Sequence, residues 1–504
     1  MTRVATLVAV LAALAAGGAG LKFSTRAVGG SDSSCYGLMV RSLSSGRLQP
    51  QSTLAASAPW PNAALTLAPA GFIPSPLTPG AASPVCAPGF ALLATPLVWM
   101  AGPDAFFWLS PLAGAALVWL AFMLARSLAD SAAGAAAAVT TATMPVLLYQ
   151  LVQPMNDVTT AACWVGGITA VVVPARPRPW LAGFLIGLSL LVRPNLLPAA
   201  VVLGLLTVWR HGILVAVRLA AAVVPAGLVV LACNAALYGG VLASGYGSAA
   251  AFFSSANIPL NLSRYGRSVL ETQFGWPLLG TLAPLAVAGP RRSSTWLVLI
   301  SALAVITCYL PYSSYPEWWY LRFLLPAVVP LVVLAAAASA VMLRRFDSRG
   351  DAVLLVAAVL IAVLQVRVAA ERQVFELRTL EARFRVTGET IRDRLPAGAT
   401  AITVWDSGSI RYHAGNEVVL WDSLDPSWLD RAAAWLENDG RTPVVVVERW
   451  EESRFRERFA GQQFGGLDWP PRFDVDNRVR VFVMADRARY LAGEPAATEI
   501  VWAR

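Results

Sequence analysis

Lysine is almost missing from this chain of 504 residues: the positive charge is nearly all arginine, with Lys22 the rare exception. That bias points to a GC-rich coding sequence and carries no mechanism. Histidine is equally scarce. His211 and His413 stand alone, so no histidine cluster can assemble a metal centre, and the five cysteines include no spaced pair of zinc type. Charged residues make up 14% of the chain against 57% hydrophobic residues, with a mean hydropathy of +0.59. Soluble domains carry about 25% charge, so this shortage excludes a soluble globular chain and leaves a polytopic membrane protein. The net charge of +9 would suit nucleic acid, but the arginines of the apolar part lie in short clusters with no basic stripe and no aromatic RNA-binding motif. Nucleic acid is therefore not an expected partner. No internal repeat at a fixed period is present either.

A membrane helix needs about 20 predominantly apolar residues. Such runs lie near 4–20, 106–126, 131–151, 157–173, 180–193, 195–209, 213–238, 275–289, 295–311, 321–342 and 351–369. The expected fold is a polytopic α-helical membrane protein with about eleven transmembrane helices, extracytoplasmic loop helices and a small C-terminal α/β domain. With the N-terminus in the cytoplasm, the arginine clusters all fall on the cytoplasmic side: Arg3, Arg126, Arg176 with Arg178, Arg210, Arg291 with Arg292, and Arg344, Arg345 and Arg349. The apolar stretch 87–102 reads as a helix at the outer interface, because one more crossing there would invert every later cluster. The two runs around "VRPN" read as two spans or one broken helix. The first run also fits a secretory signal, and retention as an anchor is the reading adopted because Asp32 follows so closely.

This topology divides the chain into a membrane domain, residues 1–370, and an extracytoplasmic accessory domain, residues 371–504. Strands are expected in "ATAITVWD", "EVVLW", "TPVVVVE" and "RVRVFVMAD", with helices in "SWLDRAAAWLEND" and "EESRFRERFAG". The first extracytoplasmic loop, residues 21–105, is rich in proline and reads as an irregular lid with short helices. Cytoplasmic connections are short, so a site built from loops should face outward. Cys35 and Cys86 both fall in the first loop, where an oxidising compartment permits a disulfide. Cys163, Cys233 and Cys308 lie in spans, where simple packing accounts for them.

Acids are rare in the spans, which makes Asp32 in "GGSDSSCYG" and Asp157 in "QPMNDV" conspicuous. Either could simply cap a helix. Asp32 with Tyr36, "PGFALLATPL", "LARSLADSAAGAAAAVTTATMPVLLYQLVQPMNDVTTAACW", "WLAGFLIGLSLLVRPN", "LYGGVLASGYG" and "WWYLRFLLPAVVP" follow in an order that resembles type C membrane glycosyltransferases. The look is nearest to the protein O-mannosyltransferase and aminoarabinose transferase superfamily, over residues 1–370. The resemblance implies a sugar donor on a polyprenyl phosphate, with Asp32 and Asp157 as the catalytic carboxylates. It leaves open a divalent cation held by those two. In the most familiar members the first loop carries paired acids; here Ser31 and Ser33 flank Asp32, so the acceptor, whether lipid, glycan or protein, is not fixed.

The chemistry fits these residues. A carboxylate within hydrogen-bond reach can take the proton of an attacking hydroxyl, and no general acid is needed because phosphate leaves as an anion. The phosphate calls for arginine forks, for which Arg264, Arg267 and Arg322 are outer-side candidates. The bland alternative for all three is snorkelling to headgroups. Arg193 beside Pro194 is an anchor or a donor contact, and Tyr36 joins the substrate-binding set. Trp318 and Trp319 form an aromatic belt or stack on sugar. The rival class is a transporter or flippase of lipid-linked precursors, which would place ionisable residues at the midplane within repeated halves; neither feature is present. The reading is an inverting glycosyltransferase of a bacterial inner membrane, with membrane lipids, a polyprenyl-phosphate sugar and an acceptor as its partners.

Overall fold

The structure, a computed structural model, describes residues 2–346 and 349–503. Among them, six helices are long and apolar enough to cross a membrane: Thr2–Lys22, Pro103–Leu128, Ile213–Tyr238, Arg291–Tyr309, Trp318–Arg345 and Gly350–Glu371. A seventh is added if Ser131–Ala142 and Pro145–Leu151, bent by 58°, count as one span. Shorter helices Asn156–Val172, Pro179–Val192 and Leu197–His211 complete the bundle.

Small residues bring these helices together. In Thr2–Lys22 the buried positions Ala5, Ala9, Ala13 and Ala16 recur at helical spacing on one face, while Leu7, Leu11 and Leu14 are exposed on the other. Alanine lets helix backbones approach closely where lipid supplies no hydrophobic drive. Helix Ser131–Ala142 is the extreme case, with Ala132 to Ala138 buried almost without interruption. The sequence reads 131–151 as one span, and the structure breaks it. Pro145 disfavours helix at Met144, which adopts φ −56° and ψ 119°, and then opens the next helix itself. Thr143 at the break donates to Gln365 at 2.7 Å, and Gln365 donates to Gln273 at 2.6 Å. Polar groups in an apolar bundle thus satisfy one another.

Two of the arginine clusters meet at one end. Arg291 donates to the carbonyl of Ala129 at 2.6 Å, Arg345 to that of Ala286 at 2.9 Å, and Arg344 pairs with Asp130 and Asp351.

At the other end lies the first loop. It contains helix Gly30–Ser44, a hairpin of β1 (Phe72–Pro74) and β2 (Ala82–Pro84), and helix Gly89–Ala101. A Cβ on Gly89 would lie 2.3 Å from the backbone of Leu191, so only glycine lets this helix seat against the end of Pro179–Val192. Cys35 and Cys86 form the expected disulfide, with Cα atoms 6.3 Å apart.

The tail carries a six-stranded sheet of β3 (Ala399–Ile402), β4 (Glu417–Val419), β5 (Thr442–Glu448), β6 (Phe473–Val475), β7 (Val479–Val483) and β8 (Glu499–Val501). Their order is β4-β3-β5-β7-β6-β8, with β3 parallel to both β4 and β5. One side of the sheet shares its core with the first loop: Leu54, Trp60 and Leu67 are buried among Ile402, Trp421 and Phe455. Glu417 on β4 accepts from Ser52 and Thr53 and pairs with Arg411.

A short helix, Ser407–His413, is absent from the sequence reading. It presses on the helix of Asp32 so closely that a Cβ on Gly408 would collide with Ser34. Burial, with Arg385, Arg392 and Arg41 adding to it, pushes the His413 imidazole down to about 3. The neutral ring therefore accepts from the Val28 backbone N–H at 3.3 Å, fixing the chain just before Asp32.

Candidate active site

Three element ends meet away from the arginine-rich end: the start of Gly30–Ser44, the start of Asn156–Val172 and the end of Pro179–Val192. The fourth part is the 3-10 turn Trp318–Leu324, which leads into helix Leu325–Phe346. Asp32 stands in the first turn of its helix with its side chain half exposed, and accepts from Arg322 Nη2 at 2.9 Å. Asp157 stands in the first turn of its own helix with its side chain fully buried. It pairs with Arg193, while Arg322 Nη1 lies 3.9 Å from its Oδ2. Neither acid caps: Gly29 and Met155 occupy the N-cap positions, with no side-chain cap hydrogen bond at either.

Arg322 thus bridges the two carboxylates. It is held over the rings of Tyr320 and Phe323, each 5.1 Å from the guanidinium carbon. Arg193 is fixed more tightly, donating to Asn156 Oδ1 at 3.0 Å and to the Tyr309 hydroxyl at 3.2 Å, with Phe323 beneath it at 5.1 Å. Two carboxylates and two guanidiniums give a cluster of no net formal charge. Asp157 Oδ2 and Arg322 Nε are buried and have no hydrogen-bond partner among the described residues, so the cluster keeps hydrogen-bonding capacity unspent.

Tyr36 lies one helical turn beyond Asp32, buried against Phe90 at 5.1 Å. Burial, with Tyr246 and Asp32 adding, raises its hydroxyl well above the usual tyrosine range. Tyr246 comes from the loop after Ile213–Tyr238. Desolvation and Asp32, opposed by Arg193 and Arg322, push its hydroxyl up to about 12, so it sits in the field of the same cluster.

Other expected residues lie elsewhere. On helix Asn257–Gln273 the buried face is Asn261, Tyr265, Ser268 and Thr272. Arg264 turns to Ser314 at 2.9 Å, and Arg267 is exposed off that face. Neither forms an ion pair with Asp32 or Asp157 among the described residues. Trp318 and Trp319 pack against Tyr149 at 5.3 and 5.6 Å, and Arg372 covers Trp318 at 5.0 Å. Asn156, Tyr309 and Tyr246 were not anticipated. Asn156 adjoins Asp157 in "QPMNDV" and is legible as its neighbour; nothing in the sequence sets Tyr309 apart from the other tyrosines.

A divalent cation does not fit this donor set. Both carboxylates face guanidiniums, and no group of three His, Cys, Asp or Glu able to hold a metal is found among the described residues.

No protein-family model matches the sequence, and no curated protein matches it. Solved structures do. ArnT from Cupriavidus metallidurans bound to undecaprenyl phosphate superposes with a TM-score of 0.57 at 13% identity, covering 90% of this chain and 94% of that one. The chain shares its fold with ArnT. The oligosaccharyltransferase AglB from Archaeoglobus fulgidus, in complex with an inhibitory peptide and a dolichol-phosphate, matches with a TM-score of 0.57 at 15% identity, over 92% of this chain and 71% of that one. AglB has also been solved with zinc and sulfate. The fold implied by the type C resemblance is the fold observed, in a multi-pass membrane protein.

Proposed function

We propose that this chain is an inverting glycosyltransferase that moves a sugar from a polyprenyl-phosphate donor to an acceptor hydroxyl. The observation that carries the reading is Arg322 joining Asp32 to Asp157 at the meeting point of four element ends. Asp32, half exposed, takes the proton of the acceptor hydroxyl as its oxygen bonds to the anomeric carbon from the face opposite the phosphate. The bond from that carbon to the phosphate oxygen breaks, and its electron pair leaves with the phosphate. Arg322 receives the developing charge. In the free protein its Nη2 occupies Asp32, so a phosphate that draws Arg322 away also frees the base. Asp157, buried between Arg193 and Arg322, sets where both guanidiniums point and acts as a positioning residue. Tyr36 and Tyr246 lie within the field of Asp32 and join the substrate-binding set. Trp318 and Trp319 act as a belt that steadies the Arg322 turn. The polyprenyl-phosphate carriers of ArnT and AglB support this donor class.

The test of this reading is binding of undecaprenyl phosphate to the purified chain. Arg322→Gln is expected to weaken binding at least tenfold while Arg267→Gln leaves it unchanged. Equal binding by wild type and Arg322→Gln would remove Arg322 from the donor site.

In this reading the site faces the extracytoplasmic side of a bacterial inner membrane, which the arginines gathered around Asp130 at the far end of the bundle support as a cytoplasmic end. Residues 371–504 serve there as an accessory domain. A cysteine introduced at position 420 should react with an impermeant thiol reagent in intact cells, and one at position 292 only after permeabilisation. The reverse pattern contradicts the orientation.

A further inference from the structure

In open α/β sheets, ligands settle beyond the carboxyl ends of parallel strands. Here those ends belong to β4, β3 and β5, and the last two are each followed by an exposed tryptophan, Trp405 and Trp450. The rings are 40% and 53% exposed and meet edge to face at 5.7 Å, so each keeps an open surface. The pair is built rather than incidental. Glu451 accepts from the backbone N–H of Glu448 at 3.1 Å and from that of Trp405, tying the two turns together. Behind them Asp406 is fully buried, with both carboxyl oxygens lacking a hydrogen-bond partner among the described residues. Burial first, then Glu448 and Glu451, raises Asp406 well above the usual carboxylate range, so it is a neutral acid able to donate as well as accept. An orphaned buried acid of this kind costs stability and calls for a reason.

Position supplies the reason. A Cβ on Gly30 would lie 3.8 Å from Trp405 Cζ2, and Gly30 is two residues before Asp32. The tryptophan pair therefore adjoins the start of the helix that carries the base.

We propose that Trp405 and Trp450 form the acceptor subsite and that the acceptor is a saccharide. A sugar ring presents an apolar C–H face suited to an indole and a rim of hydroxyls that need both donors and acceptors. Asp406, next to Trp405 in the chain, holds unspent donor and acceptor capacity behind the indoles, whereas Glu448 is spent on Arg383 and Glu451 on the turn backbone. The inference rests on the transferase reading, since it is Asp32 that makes a neighbouring sugar an acceptor.

The test uses the full chain purified in a detergent without a sugar headgroup, because a maltoside would compete. Wild type and Trp405→Ala/Trp450→Ala are applied to a printed array of neutral and anionic oligosaccharides, and undecaprenyl phosphate binding is measured on both. Wild type should bind at least one glycan class, and the double variant should lose at least tenfold of that signal while binding undecaprenyl phosphate as before. That retained binding also shows the variant is folded. Undecaprenyl phosphate binding with no glycan bound, or with equal glycan binding by the two proteins, overturns the saccharide subsite and leaves the transferase reading standing. Glycan binding that needs the tryptophans, in a protein that never binds undecaprenyl phosphate, overturns the transferase reading and keeps the subsite. Quenching of Trp405 and Trp450 by brominated lipid in nanodiscs, without glycan binding, assigns them to the membrane and overturns the subsite.

Discussion

Asp157→Asn should destabilise the protein by about 3–5 kcal/mol, the usual cost of leaving one member of a buried ion pair uncompensated. Asparagine keeps the size of the side chain and can still accept from Arg193, but it removes the charge. Asp157 is fully buried and the Arg193 side chain is 9% exposed, so water cannot take over the solvation of the guanidinium. Arg322, 3.9 Å away, loses part of its support at the same time. Thermal unfolding in detergent reads the effect as a midpoint lower by several degrees or as protein that fails to accumulate. Adding Arg193→Gln should recover part of the loss, because the uncompensated charge is then gone. An unchanged midpoint for Asp157→Asn would mean that the pair is solvated and that Asp157 does not hold the site together.

Asp32→Asn should separate chemistry from folding. Its side chain is half exposed and does not cap its helix, so the variant should keep its thermal midpoint and its affinity for undecaprenyl phosphate. Sugar transfer should fall about a hundredfold or more, the common cost of removing a general base. Transfer near the wild-type rate by Asp32→Asn would return the base role to Asp157 or to a group outside the cluster.

Much of the fold was legible because apolar runs and arginine clusters are direct consequences of spanning a membrane. The break in 131–151 was not. Pro145 was visible, but a proline can sit in a continuous span, and the matching Thr143–Gln365 bond joins residues 222 apart in sequence. Asp32 and Asp157 were legible as acids in a chain that avoids them. Their union through Arg322 was not, since Arg264, Arg267 and Arg322 share one chemistry and one side of the membrane, and only packing tells them apart. The clamp by Ser407–His413 was missed for a related reason. Seven residues give too little periodicity to mark a helix, and its partner, the helix of Asp32, lies at the far end of the chain.

The central claim is that the chain works on a polyprenyl-phosphate-linked sugar, and mass spectrometry of the lipids that copurify with it tests this most directly. The account predicts a polyprenyl phosphate or its glycosylated form enriched in the wild-type protein and depleted at least tenfold in Arg322→Gln. Bulk phospholipid alone in the wild type, when the same extraction recovers polyprenyl phosphate from the source membranes, would contradict it.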